Sequence, residues 1–261
     1  MILAVDIGNS AAKAAIVDGE TVLESGRLDT SSATGEDLLD GLRVLTGRHE
    51  QPPASIVAVS VVDRWTERLE VAAEAMGLPL TVVAASHIPI STGLARPDRT
   101  GPDRLLAAWA ASRINGSPVI VVDLGTATTV DAVDADGFYL GGAIAPGLEL
   151  AAEALAEHTA RLPRSDITLP EEVIGTDTAM AIARGVVIGH IGTVRELAQR
   201  THARLASRTA HTKAVITGGH SAAPWAHAAW RRPAGDLPSI ADTLDPDLVL
   251  KGLGLLAEHM G

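Results

Sequence analysis

The sequence predicts an α/β protein made twice from one design: two domains, each a mixed β-sheet flanked by helices. Three observations lead there. Short apolar runs rich in β-branched residues alternate with segments of helical periodicity. The N-terminal stretch ILAVDIGNSAAKAAIVDGE returns mid-chain as VIVVDLGTATTVDAVDADG. The chain has 261 residues, 46% of them hydrophobic and 20% charged, enough for two cores of ordinary domain size.

The elements follow in order. Met1–Asp6 is a β-rich apolar run, and Ala12–Val17 returns beside it after a Gly8–Ser10 turn. Asp18–Gly19 is a hairpin signal, and TVLESGRL forms a third strand. Gly35–Leu45 has helical spacing, with Leu38, Leu39, Leu42 and Leu45 on one face. Ala54–Val62 reads as a buried strand, Trp65–Met76 as a helix and Leu80–Ala85 as a strand. Ile88–Gly101 is loop-like, and Asp103–Asn115 is a helix whose apolar face is Leu105, Leu106, Trp109, Ala110 and Ile114. The repeat then begins. Each copy has an apolar strand, D-x-G, small or hydroxyl residues, a second strand and a DG turn. The duplication spans about 115 residues and divides the chain into residues 1–115 and 116–261. Beyond the second hairpin come a helix at Leu148–Ala160, a loop at Arg161–Glu172, a helix at Thr178–Thr201 and a strand at Ala214–Thr217. A helix over Asp247–Met260 closes the chain.

Composition excludes several classes. The net charge of −11 repels phosphate backbones and anionic lipid, so neither nucleic acid nor membrane is an expected partner. The absence of cysteine removes disulfides and thiolate–zinc sites and fits a reducing compartment. No signal peptide and no transmembrane run are expected.

A D-x-G turn between two strands carries chemistry. Its aspartate reaches a metal ion or its water shell, and its glycine lets backbone N–H groups approach phosphate oxygens. Hydroxyls at Ser10, Thr126, Thr128 and Thr129 add donors. Two such turns facing each other would grip a nucleoside triphosphate from both sides. VITGG (Val215–Gly219) ends a strand in two glycines, which would let a flat adenine lie against the backbone; an ordinary strand-to-helix turn explains it as well. TGPDR (Thr100–Arg104) sits at a helix start, where backbone amides favour an ionised Asp103; plain capping is the alternative. Arg104 is the oddity there, because a helix N-terminus disfavours a cation.

Other patterns lead nowhere. KGLGLLA (Lys251–Ala257) matches a dinucleotide fingerprint but leaves no room for a βαβ unit and is expected to be helix. There is no phosphate loop of the G-x-x-x-x-G-K-[ST] type and no H-E-x-x-H spacing; His190 and His202 are expected to be surface or partly buried polar residues. Arg161–Arg164 reads as a solvated basic loop, with anion binding the less favoured alternative.

Taken together, the motifs resemble the actin-like ATPase and sugar kinase superfamily, whose domains are ribonuclease-H-like with an ATP cleft between them. Within it the chain is similar to the type III pantothenate kinases. The resemblance rests on an ordered set: DIGNS (Asp6–Ser10), GPDR (Gly101–Arg104), DLGTATTVDAV (Asp123–Val133), GGAIAPG (Gly141–Gly147), TARLP (Thr159–Pro163), IGTDT with AIARGVVIG (Ile174–Gly189), TGG (Thr217–Gly219) and DPDLVLKGL (Asp245–Leu253).

The resemblance implies ATP-dependent phosphorylation of pantothenate, the first step toward coenzyme A, by a cytoplasmic homodimer using Mg²⁺ and a monovalent cation, K⁺ or NH₄⁺. Asp6, Ile7, Gly8, Asn9, Ser10, Ala11, Ala12 and Lys13 would cradle the phosphates, with Thr126 adding a hydroxyl contact and Gly218 and Gly219 completing the ATP site. Asp123 would bind the monovalent cation. Gly101, Pro102, Asp103 and Arg104 would hold pantothenate, with Asp103 the general base and Thr178 reaching the neighbouring subunit's substrate. Three positions depart from the family pattern. Ser10 replaces threonine, and Pro102 replaces alanine at a helix start that tolerates it. Leu94, counted back from Pro97, stands where the family has a substrate-touching tyrosine. Two other readings stay open: a kinase of this fold for another small alcohol, and a non-catalytic ATP-binding regulator.

Overall fold

Apolar strands that alternate with helices assemble here into two five-stranded mixed sheets of one topology. The computed structural model describes residues 1–165, 167–168, 170, 172–206, 212–223, 226, 229–230 and 241–261. In the first sheet β1 (Ile2–Ile7), β2 (Ala11–Asp18) and β3 (Thr21–Asp29) form an antiparallel meander. β4 (Ile56–Ser60) and β5 (Leu80–Val82) extend it in parallel from the other side of β1, giving the order β3-β2-β1-β4-β5. The second sheet contains β6 (Val119–Leu124), β7 (Ala127–Val133), β8 (Tyr139–Pro146), β9 (Lys213–Thr217) and β10 (Thr243–Leu244), in the order β10-β9-β6-β7-β8. Taken from its other edge this is the same succession, with β6 in the place of β1. The duplicated sequence pattern is thus a duplicated sheet.

β1 and β6 are central and almost wholly buried, which is why they read as continuous apolar runs rather than alternating ones. The helices are α1 (Gly35–Gly47), α2 (Asp63–Met76), α3 (Pro102–Asn115), α4 (Leu148–Glu157), α5 (Thr178–Ala206) and α6 (Leu248–Met260). α1 starts on a reciprocal cap: Thr34 Oγ1 accepts the Asp37 N–H at 3.2 Å, and Asp37 Oδ2 accepts the Thr34 N–H at 2.7 Å. It buries Leu38, Leu42 and Leu45, three of the four leucines its spacing points inward.

Some elements depart from the sequence expectation. The strand expected to Ala85 ends at Val82, and a 3₁₀ turn follows at Ala85–His87. There the His87 ring takes the backbone donor of Ala84 at 3.2 Å. The helix expected to Ala160 ends at Glu157, and Thr159 Oγ1 donates to the Leu155 carbonyl at 2.7 Å. α3 is buried on more than the one predicted face: Ala107, Ala108 and Ala111 are covered too. In the expected loop Arg161–Glu172, residues 166, 169 and 171 lie outside the described residues.

Contacts group Met1–Ile114 with Gly137–Tyr139 and Asp247–Gly261, and Asn115–Asp136 with Leu140–Pro246. The two groups part close to residue 115, and the closing helix groups with the first unit and not with residues 116–261. α6 packs on β1 and β2, and Gly252 and Gly254 make this possible: side chains there would run into Leu106 and Ala110, and into the carbonyl of Gly19. The glycines of KGLGLLA are therefore packing spacers inside a helix.

Candidate active site

In the first unit Asp6 is the penultimate residue of β1, directly opposite Lys13 on β2. The Gly8 N–H donates to the Ala11 carbonyl at 2.9 Å and closes the turn, which leaves Asn9 and Ser10 exposed at its tip. A residue the sequence reading passed over holds the tip from beneath. Buried Thr30 donates its hydroxyl to the Asn9 carbonyl at 2.8 Å and its N–H to the Ser10 carbonyl at 3.2 Å. Ile7 and Ala12 are buried under the turn, while Ala11 and Lys13 are half-buried.

The same unit carries the start of α3. Pro102 opens the helix, and the Gly101 carbonyl accepts the N–H groups of Arg104 at 3.1 Å and Leu105 at 3.3 Å. Asp103 Oδ1 accepts the Arg104 N–H at 2.9 Å and folds back into the space a side chain at Gly101 would need. An anionic group on the first turn of a helix is where the helix dipole stabilises it. Leu94 is half-buried, and its N–H donates to Thr92 Oγ1 at 3.2 Å. Its loop is pinned by the Thr92–Tyr139 bridge and by the Tyr139 N–H on the Ser91 carbonyl at 2.8 Å.

In the second unit Asp123 occupies on β6 the place Asp6 has on β1. It lies opposite Thr129 of β7 and beside Thr217 of β9. The Thr126 carbonyl accepts the Gly147 N–H at 3.0 Å, which ties the turn to the start of α4. Gly218 follows β9 with φ 88° and ψ 172°, a conformation essentially confined to glycine. A Cβ there would overlap the Asp123 carboxylate and come within 2.6 Å of the Leu124 nitrogen. The Thr-Gly-Gly turn therefore lies directly against the second D-x-G turn. Gly219 begins a 3₁₀ turn whose Ser221 hydroxyl donates to the Gly218 carbonyl at 2.6 Å. Thr178 is exposed on the first turn of α5, where Asp177 Oδ1 accepts the Met180 N–H at 2.8 Å.

Three further polar residues gather here. His220 Nε2 is 2.6 Å from Glu149 Oε2. His190, expected to be a surface or partly buried residue, is 8% exposed, with Nε2 3.4 Å from Thr128 Oγ1. Burial, and then the nearby His220, push His190 below the usual imidazole value, so this ring is neutral at neutral pH. Partners so far apart in the chain leave no short motif behind; only the proximity of His220 to the Thr-Gly-Gly stretch was a hint. His202 is exposed, as are Arg161 and Arg164.

A five-stranded mixed sheet of this topology made twice, with D-x-G at the end of the first strand each time, is the two-domain α/β architecture expected of the actin-like fold. The comparisons agree. A solved protein of Campylobacter jejuni, described as a Baf family transcriptional activator, has the same fold: TM-score 0.60 at 18% identity, covering 99% of this chain and 98% of the other. The sequence profile of type III pantothenate kinases matches residues 2–200. The type III pantothenate kinase of Dehalococcoides mccartyi is 34% identical over 261 residues, 98% of this chain and 96% of the relative. That of Rubrobacter xylanophilus is 37% identical over 271 residues, 98% of this chain and 97% of the relative. The chain belongs to the type III pantothenate kinase family.

Proposed function

We infer that this chain carries out its family's reaction, ATP-dependent phosphorylation of pantothenate on its primary hydroxyl, and that the motifs described divide the work. Asp6–Lys13 and Thr126 take the phosphates, Gly218 and Gly219 the adenine end, and Gly101–Arg104 with Leu94 the pantothenate. The observation that carries this reading is the position of Asp103, a carboxylate set on the first turn of α3 beside the backbone of Gly101. Phosphoryl transfer through a loose transition state needs positioning and charge neutralisation more than a strong base. Asp103 need only orient the hydroxyl and accept its proton at an oxygen of its carboxylate. Arg104 offers a planar set of donors to substrate oxygens, and Lys13 a point charge to phosphate.

Mg²⁺ is ordinarily held by one or two carboxylates together with substrate phosphates, and Asp6 at the end of β1 fits that donor set. When bound it neutralises charge between the phosphates. Asp123, whose carboxylate lies against the Gly218 turn, would supply an oxygen donor to a monovalent cation, K⁺ or NH₄⁺.

A homodimer is the natural assembly. Thr178 is exposed at the head of α5, and exposed apolar groups cluster nearby: Val173, Ile174, Met180 and Ile188, alongside the exposed glycines Gly185, Gly189 and Gly192. Such a surface suits close packing against a second copy, which would bring Thr178 to the partner's substrate. The cytoplasm suits a cysteine-free enzyme that draws on ATP; among the described residues no helix is long and apolar enough to cross a membrane.

The test is ADP release by purified protein. Release that requires pantothenate supports the reading. Release with other alcohols instead points to another substrate, and ATP binding without turnover points to a regulator.

A further inference from the structure

We propose that His220 is a positioning residue for the nucleotide: its hydrogen bond to Glu149 holds the Gly218–Gly219 turn in place. The inference rests on the reading of that turn as part of the ATP site.

Three segments of the second unit meet around this bond. The Thr126 turn is tied to the start of α4 by the Gly147 N–H. Glu149 stands on the first turn of α4. His220 lies in the 3₁₀ turn that follows Gly218, and its Nε2 meets Glu149 Oε2 at 2.6 Å across a sequence separation of 71 residues. The short distance marks a hydrogen bond to a carboxylate, which is stronger than one between neutral groups.

The turn needs such a tie. A Gly-Gly pair has more backbone freedom to lose than any other dipeptide, and Gly218 is held at φ 88°. Ser221 steadies it from within, through the Gly218 carbonyl, but Ser221 travels with the same turn. His220 anchors the turn to a different element. A turn already fixed when ATP arrives does not charge its ordering entropy to binding. At the start of α3, Gly101 and Asp103 are arranged by their own hydrogen bonds, so the effect should fall on one substrate only.

The experiment is steady-state kinetics on His220→Ala, Glu149→Ala, the double variant and His220→Gln. Thermal melting confirms that each is folded, as expected for partners that are 23% and 53% exposed. The single alanine variants should raise the KM for ATP about fivefold, the size of one lost hydrogen bond, with the KM for pantothenate moving less than about twofold. The double variant should be no worse than either single one, because both remove the same interaction. His220→Gln, whose amide N–H donates to the same carboxylate, should recover most of the loss. An unchanged KM for ATP, equal rises for both substrates, additive singles or no rescue by glutamine would each overturn the proposal. Direct ATP binding by the unaltered protein separates the two readings: without it the nucleotide site itself fails, whereas tight binding that His220→Ala leaves unchanged removes only the positioning role.

Discussion

Asp103 occupies the room that Gly101 leaves: its Oδ1 lies where a side chain at residue 101 would begin, and it accepts the Arg104 N–H at 2.9 Å. Gly101→Ala should therefore displace the carboxylate without unfolding α3, because the atom in the way ends a movable side chain. Displacement of a reacting group by about 1 Å can cost roughly 10²-fold, so kcat should drop by about ten- to a hundredfold. Asp103→Asn should go further, by roughly 10²–10⁴-fold, the range for loss of a general base. Both variants should bind ATP as the parent does, and calorimetric titration checks this. Near-parental turnover in Asp103→Asn would remove its role as base.

Gly218 has less latitude than Gly101. What stands in its way includes the backbone of Leu124 as well as the Asp123 carboxylate, and its φ of 88° suits no other residue type. Gly218→Ala should lose about 1–3 kcal/mol of stability, the usual cost of forcing a side chain into such a conformation. ATP binding should weaken with it, since the turn must shift off Asp123. Urea unfolding and ATP titration measure the two effects. An alanine variant as stable and as tight-binding as the parent would contradict the strain read from this turn.

Asp123 should govern the response to monovalent cations. Asp123, joined by the oxygens of a bound triphosphate, would form an oxygen-lined site for a large, weakly hydrated ion. Activity should rise with K⁺ or NH₄⁺ and stay low in Na⁺ alone, and Asp123→Ala should abolish the difference. Rates measured across chloride salts at constant ionic strength decide it; equal rates in Na⁺ and K⁺ would count against the site.

The features legible in the sequence are the local ones. Two D-x-G hairpins could be read because each is a contiguous run in which apolar strands flank a turn, and both appear as β1–β2 and β6–β7. The helix start at Pro102 could be read from its capping chemistry. What stayed hidden depends on distant partners. His190 reads in sequence only as a surface or partly buried helical residue, and it is buried beside Thr128. Thr30 gave no sign that it fastens the tip of the first turn, since its partners are Asn9 and Ser10 on another strand connection. The return of α6 to the first unit was equally hidden: its glycines fit a nucleotide fingerprint in sequence and a close packing contact in space. Two-residue β10 is too short to show any period at all.

We propose that Leu94 sets how tightly pantothenate is held. The family pattern places a tyrosine here, with a ring face and a hydroxyl donor. This chain's one tyrosine, Tyr139, is fully buried on β8 and cannot supply that hydroxyl from elsewhere. Leu94 itself is half-buried in a loop pinned at Thr92 and Ser91, so its backbone is placed and only the side-chain chemistry differs. Leucine keeps the apolar contact and loses one neutral hydrogen bond, worth about 0.5–1.5 kcal/mol, or roughly 2- to 13-fold in binding. If that bond forms equally in the ground state and the transition state, its absence raises KM and leaves kcat nearly unchanged. Leu94→Tyr should therefore lower the KM for pantothenate by a factor within that range, with kcat and the KM for ATP little altered. Steady-state kinetics on the two proteins checks this. A KM for pantothenate that stays the same or rises in Leu94→Tyr would mean that this loop does not face the substrate or that the substrate is a different alcohol.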